Sequence, residues 1–216
     1  MGNKKGSQRL LQDLVESEPK KFLEEMEANG IRDLKWLSPL KSDEYAEYRD
    51  GRFLCKFELE KHHSALRDFW PTGGPRWDGL AKGVGVDGKP VYVLVEAKAN
   101  IPEIKSSCKA KPESRKRIKE ALKTTRESLL DKKNIGDLPE SWTHGYYQYA
   151  NRLAYLYFMN EIAKEKTFLA LVYFINDQTH KPTTREAWNK ALALQKERMG
   201  LTGTEANEKK ILEFFV

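Results

Sequence analysis

Cysteine is scarce in this chain. Its two copies in 216 residues, Cys55 and Cys108, stand far apart and in no metal-ligand spacing. That excludes a disulfide framework and a thiolate zinc site, and makes reduced thiols the expectation. Histidine is nearly as rare, and His62, His63, His144 and His180 fit no ligand pattern. Long apolar runs are missing too. The longest, Phe168 to Ile175, is far short of a bilayer span, so no membrane is expected. The N-terminus has no apolar signal core, and Gly6 stands where a myristoylation motif wants Ser or Thr, so a cytoplasmic protein is the expectation. No glycine-rich phosphate loop, Ser-His-Asp arrangement, repeat or low-complexity tract is present.

The chain does have charge, and its location is informative. Charged residues make up 32% of the chain and hydrophobic ones 39%, the balance of a wet-surfaced protein with one core. Between residues 103 and 133, eleven Lys and Arg face five acids. That excess of six equals the net charge of the whole chain. A block of this kind suits either a phosphate-binding surface or a solvated helix face.

Periodicity predicts helix over 7–29 in two pieces, restarting at Ser17 and Pro19 and stopping at Gly30. Residues 31–41 read as an irregular connection, and 42–68 as mostly helix with a break at Asp50-Gly51. An aromatic and Gly/Pro loop, Phe69 to Pro75, leads into a hairpin with strands near 76–84 and 89–98. Helices are expected at 114–132 and 143–164, a buried strand at 168–175, and a helix from a Thr183/Glu186 capping box to Met199. Residues 211–216 fit an edge strand. The order implies an α/β protein with a mixed sheet flanked by helices. Residues 1–41 form an N-terminal helical extension and 42–216 a single globular unit.

The chemistry concentrates on the hairpin. Asp78 lies on its first strand, and Glu96 and Lys98 end its apolar second strand, Val91 to Val95. A three-residue Val86-Asp87-Gly88 loop sets Asp78 opposite Glu96, with Lys98 on the same face. A two-residue Asp87-Gly88 turn would put Asp78 on the other face. Gly88 in the third loop position favours the first. Two opposed carboxylates repel, and a hard divalent cation relieves that repulsion. Lys98 beside them could hold an attacking water and offset transition-state charge.

At these residues the chain resembles the PD-(D/E)xK nuclease superfamily, also called the restriction-endonuclease-like fold. Asp78 matches the family's aspartate and Glu96-Ala97-Lys98 its E-x-K tripeptide, while Trp77 replaces the proline of the family name. The resemblance implies an αβββαβ core over residues 43–176 and Mg²⁺, replaceable by Mn²⁺, held by Asp78, Glu96 and the Ala97 carbonyl. Lys98 would be the catalytic lysine. It also implies a glutamine on the following helix, Gln148, with Arg152 where a tyrosine is usual, and an acid on the first core helix, Glu47 or Glu44, with Glu47 preferred.

The expected activity is metal-assisted hydrolysis of DNA phosphodiesters, and the sequence leaves RNA open. Arg76, Lys105, Lys109, Lys111, Arg115, Lys116, Arg117, Lys119, Lys123 and Arg152 are the candidate phosphate contacts. Trp70 and Trp142 are candidates for base stacking, and Trp77 suits core packing better. Double-strand cutting with one site per chain calls for a homodimer, though no dimer face is readable. Two alternatives stand: a catalytically silent nucleic-acid-binding module of the same fold, or an interaction protein whose basic helix meets an acidic partner.

Overall fold

The computed structural model describes residues 6–17, 20–178, 181–203 and 209–216; Pro19 and His180 lie outside them. The described elements run α1 (Ser7–Glu16), α2 (Lys20–Ala28), β1 (Ile31–Ser38), β2 (Tyr48–Arg49), α3 (Gly51–Lys56), α4 (His63–Phe69), β3 (Arg76–Trp77), β4 (Gly79–Gly85) and β5 (Pro90–Lys98). They continue with β6 (Ser106–Ser107), α5 (Pro112–Leu129), β7 (His144–Gly145), α6 (Tyr147–Tyr157), β8 (Thr167–Tyr173), α7 (Arg185–Met199) and β9 (Ile211–Phe215). Among the described residues no helix is long and apolar enough to cross a membrane.

A five-stranded mixed sheet of order β1-β4-β5-β8-β9 organises the molecule. β1, β4 and β5 run antiparallel in turn, and β8 and β9 follow parallel to β5. β5 is apolar on both faces because it is central and covered on both. Val91, Val93, Val95 and Ala97 pack with α1 and α2, while Tyr92 and Leu94 join the larger core with α3, α4 and α6. By the same alternation Glu96 and Lys98 face the α6 side.

Several expectations change. Residues 31–38 are not an irregular connection but the edge strand β1, paired with β4. Its register slips between Arg32 and Lys35 and again between Trp36 and Ser38, and Asp33 has φ 51°, so its alternation of apolar and polar residues is broken. The described part of the expected 1–41 extension is therefore no appendage: α1 and α2 cover one sheet face, and β1 extends the sheet. Residues 42–68, expected as mostly helix with a break at Asp50-Gly51, are helical chiefly from Gly51 on, in α3, a 3₁₀ turn and α4, whereas the stretch before Gly51 holds a 3₁₀ turn and β2. The N-cap of α7 is Thr184, which accepts from Ala187 N–H at 3.2 Å, one residue beyond the expected box. Gly200 ends that helix at φ 62°. Trp70, Trp77 and Trp142 are all buried, so none is open to stack on a base.

Candidate active site

The hairpin loop decides the geometry. Gly85 N–H donates to the Lys89 carbonyl at 2.8 Å, Gly88 N–H to the Gly85 carbonyl at 2.9 Å, and Gly88 has φ +73°. This is the three-residue loop, and Gly79 accordingly pairs with Val95. Gly79 is tightly enclosed: a Cβ there would lie 3.2 Å from the Ser38 carbonyl and 3.2 Å from Val95 Cβ, so its neighbours would have to give by a few tenths of an ångström. Beyond Gly79 the chain leaves the ladder, and Trp77 pairs with Tyr48 of β2 instead. Asp78 fills the parting. Its Oδ2 accepts from Ala97 N–H at 2.8 Å, replacing a backbone partner with a carboxylate.

Asp78 is surrounded by protein except where it borders an open pocket of about 490 Å³, shared with Glu47, Arg76, Glu96, Lys98 and Gln148. Burial, then the charge of Glu96, pushes its carboxyl up to about 7. Glu96 is 5% exposed. Burial pushes its carboxyl up, but Arg152 and Lys98 outweigh it and hold the group below the usual range. Its Oε1 accepts from Lys98 Nζ and its Oε2 from Arg152 Nε at 2.6 Å. Lys98 Nζ also donates to Gln148 Oε1 at 3.4 Å. Burial pulls the Lys98 ammonium down, yet Glu96 and Asp78 raise it, so it stays charged.

α6 supplies the opposite wall. Gln148 is anchored by its backbone N–H, which donates to Ser106 Oγ at 2.7 Å. Arg152, expected at the substrate phosphate, is instead 3% exposed and turned inward to Glu96. Glu47 does reach the pocket, but from the loop before β2 rather than from a helix. Its Oε1 accepts from Gln8 Nε2 of α1, and its Oε2 lies 3.7 Å from Arg76 Nη1.

Three contributors carry no signal in the sequence. Glu103, one more charge within the basic block, lines the pocket; it accepts from Ala99 N–H at 3.0 Å and from Asn100 Nδ2 at 2.8 Å. Asn151 lines it beside Arg152. Asp50 shapes the entrance: its Oδ1 accepts from Gly73 and Gly74 N–H at 3.0 and 2.8 Å. A Cβ on Gly74 would strike the Tyr155 hydroxyl at 1.9 Å, so the loop closes only on glycine. No local pattern marks a pocket whose walls come from separate elements.

The basic block divides. Arg76 stands exposed at the mouth, and Lys105 lies 3.9 Å over the Tyr146 ring. Lys109, Lys111 and Lys116 are exposed. Lys119 and Lys123 line a separate hollow with Glu120, Asp137 and Glu140. Arg117 is spent on the Arg67 and Asp68 carbonyls at the end of α4, and Arg115 reaches the Cys108 carbonyl at 3.4 Å.

Among the described residues no group of three or more His, Cys, Asp or Glu side chains is arranged to hold a metal. An ion here would rest on the Asp78 and Glu96 carboxylates, the Ala97 carbonyl and water. The residues fit that donor set. β5 bonds β8 through Tyr92 N–H and the Lys98 carbonyl, so strand alternation turns Ala97 toward Asp78. Two crowded carboxylates, one pushed to about 7, gain from a divalent cation of hard-oxygen preference. No family model matches this chain, and comparison with curated proteins and with solved structures gives no match.

Proposed function

We propose that this protein is a Mg²⁺-dependent nuclease of the PD-(D/E)xK type that hydrolyses DNA phosphodiester bonds. One observation carries the reading: the Ala97 N–H bond to Asp78 Oδ2, which draws a carboxylate into the end of the hairpin on the face of Glu96 and Lys98. The element order supports it in part. Helices α1 and α2 precede the antiparallel run β1-β4-β5, and α5 and α6 lie between β5 and the parallel β8; α3 and α4 are inserted between β1 and β4, and β1 lies outside the expected 43–176 core.

Asp78, Glu96 and the Ala97 carbonyl would hold the ion. When bound, it would polarise a phosphoryl oxygen, stabilise the leaving oxygen and acidify a water. Lys98 is charged, faces the pocket and is steered by Gln148, so it can orient the attacking oxygen and offset negative charge developing on phosphorus. Gln148 holds the lysine from the substrate side. Arg76 offers positive charge at the pocket mouth for a backbone phosphate.

Incubation with duplex, single-stranded and supercoiled DNA, in Mg²⁺, Mn²⁺ or EDTA, tests the reading. Cleavage is expected with either metal, none in EDTA, and a loss of about 100-fold or more in Lys98→Ala. Cleavage in EDTA, or an unchanged Lys98→Ala, overturns it. Glu96 is already paired by two cations, which favours a second reading, a silent DNA-binding module. Binding without cleavage under every metal condition would select that one.

A further inference from the structure

Arg152 is a residue the proposed chemistry leaves without a task, and it is the most elaborately held cation of the site. Its Nε donates to Glu96 Oε2 at 2.6 Å, and its Nη2 forms an ion pair with the same oxygen. Its Nη1 donates to Asn151 Oδ1 at 2.8 Å, and its Nη2 also reaches the Arg76 carbonyl at 2.8 Å. The guanidinium Cζ lies over the Trp77 ring, 4.9 Å from its centroid, and Trp77 is itself fully buried. Arg152 borders the pocket, but it is only 3% exposed and its guanidinium nitrogens are turned to protein acceptors.

The two oxygens of Glu96 have separate partners. Arg152 takes Oε2, leaving Oε1 for Lys98 and the pocket. Without that clasp the Glu96 carboxylate would be free to rotate, and Lys98 could draw either oxygen. Only a planar fork makes these contacts together; an ammonium is one compact charge and cannot span Glu96, Asn151 and a carbonyl while also sitting over an indole. The anchors Trp77 and Arg76 belong to β3, the strand that leads into Asp78. Arg152 therefore links α6, β3 and β5, and couples the positions of both carboxylates.

Resting on the nuclease reading, we infer that Arg152 is a positioning residue: it fixes Glu96 by Oε2 so that Oε1 alone is presented to a divalent cation beside Asp78. It touches neither the ion nor the substrate. Groups that orient metal ligands in this manner typically change metal affinity or activity by about 10- to 100-fold when removed.

The test measures Mn²⁺ binding by EPR on the full chain without DNA, alongside cleavage of linear duplex DNA across a Mn²⁺ titration. Wild type, Arg152→Lys and Arg152→Met are compared, with circular dichroism verifying the fold of each. The inference expects both variants to lose about 10- to 100-fold in Mn²⁺ affinity, with cleavage largely recovered at saturating Mn²⁺. Arg152→Lys should resemble Arg152→Met, because it keeps the charge and loses the fork. If Arg152→Lys binds like wild type, charge alone suffices and positioning is overturned. If wild type cleaves and both variants match it, the inference fails while the nuclease reading stands. If wild type neither binds Mn²⁺ nor cleaves, the nuclease reading fails and takes this inference with it. Should Arg152→Met not fold, Asn151→Ala decides, since it removes one anchor without stranding a buried charge. Weaker Mn²⁺ binding with the same saturated rate supports the inference, and wild-type affinity overturns it.

Discussion

Asp78 and Glu96 sit on one hairpin, yet their surroundings drive them apart. Glu96 has two cations and stays ionised, while Asp78 has one backbone N–H and the charge of its neighbour. Its carboxyl, at about 7 when folded, lies above its unfolded value of 3.8. A group raised in this direction contributes stability that is fully present below about pH 4 and lost as pH rises through 7. The metal-free protein should therefore weaken between those limits through this residue. Asp78→Asn keeps an acceptor for Ala97 N–H and removes the charge. It should raise stability at pH 8 by about 1–2 kcal/mol, discounted for water reaching the pocket, and leave it unchanged near pH 4. Urea unfolding of both proteins at the two pH values checks this; equal stabilities at pH 8 would refute it. The chemical types at the site were legible in sequence, because an acid and a Glu-x-Lys tripeptide flank an apolar strand. The partners of Glu96 were not, because Arg152 is 56 residues away and looks like any helix-surface cation.

At the scale of elements, the hairpin is governed by its loop. Gly88 holds φ +73° with open space where a Cβ would go, so an alanine there meets backbone strain and no clash. Gly88→Ala should cost about 1–2 kcal/mol in urea unfolding. Leu94 is fully buried on the central strand, and Leu94→Ala should cost more, about 2–5 kcal/mol. A reversed ranking would mean that the loop, not the packing of β5, dominates the hairpin. Turn chemistry and alternation were readable here because both are local. β1 was not readable: its bulges and its charged residues erase the two-residue period, and only pairing with β4 makes it a strand.

The whole molecule does not divide at residue 41. α1 and α2 cover Val91, Val93 and Val95, and β1 covers the edge of β4. A chain beginning at residue 42 would expose that face and that edge, so it should be insoluble or lack a cooperative unfolding transition. A soluble, cooperatively folding 42–216 fragment would restore the separate-extension view. The exposed cations at Lys109, Lys111 and Lys116 belong to the same scale. If they meet DNA, affinity should fall steeply with salt. Replacing all three with alanine should then flatten the log–log salt slope by about 0.9 for each phosphate no longer neutralised. An unchanged slope in a filter-binding or fluorescence titration would assign phosphate binding to other residues.

Sequence alone was enough for the hairpin, its three-residue loop and the common face of Glu96 and Lys98 on β5, because strand alternation and turn chemistry act over a few residues. It was also enough for the helices α1, α2, α5, α6 and α7, each marked by an apolar stripe or a stop signal. Tertiary structure decided what residues 31–38 become, which face α1 and α2 cover, and that Arg152 turns inward to Glu96 instead of outward to solvent. Those outcomes depend on contacts between distant segments, where burial sets the cost of leaving a charge or a strand edge unpaired.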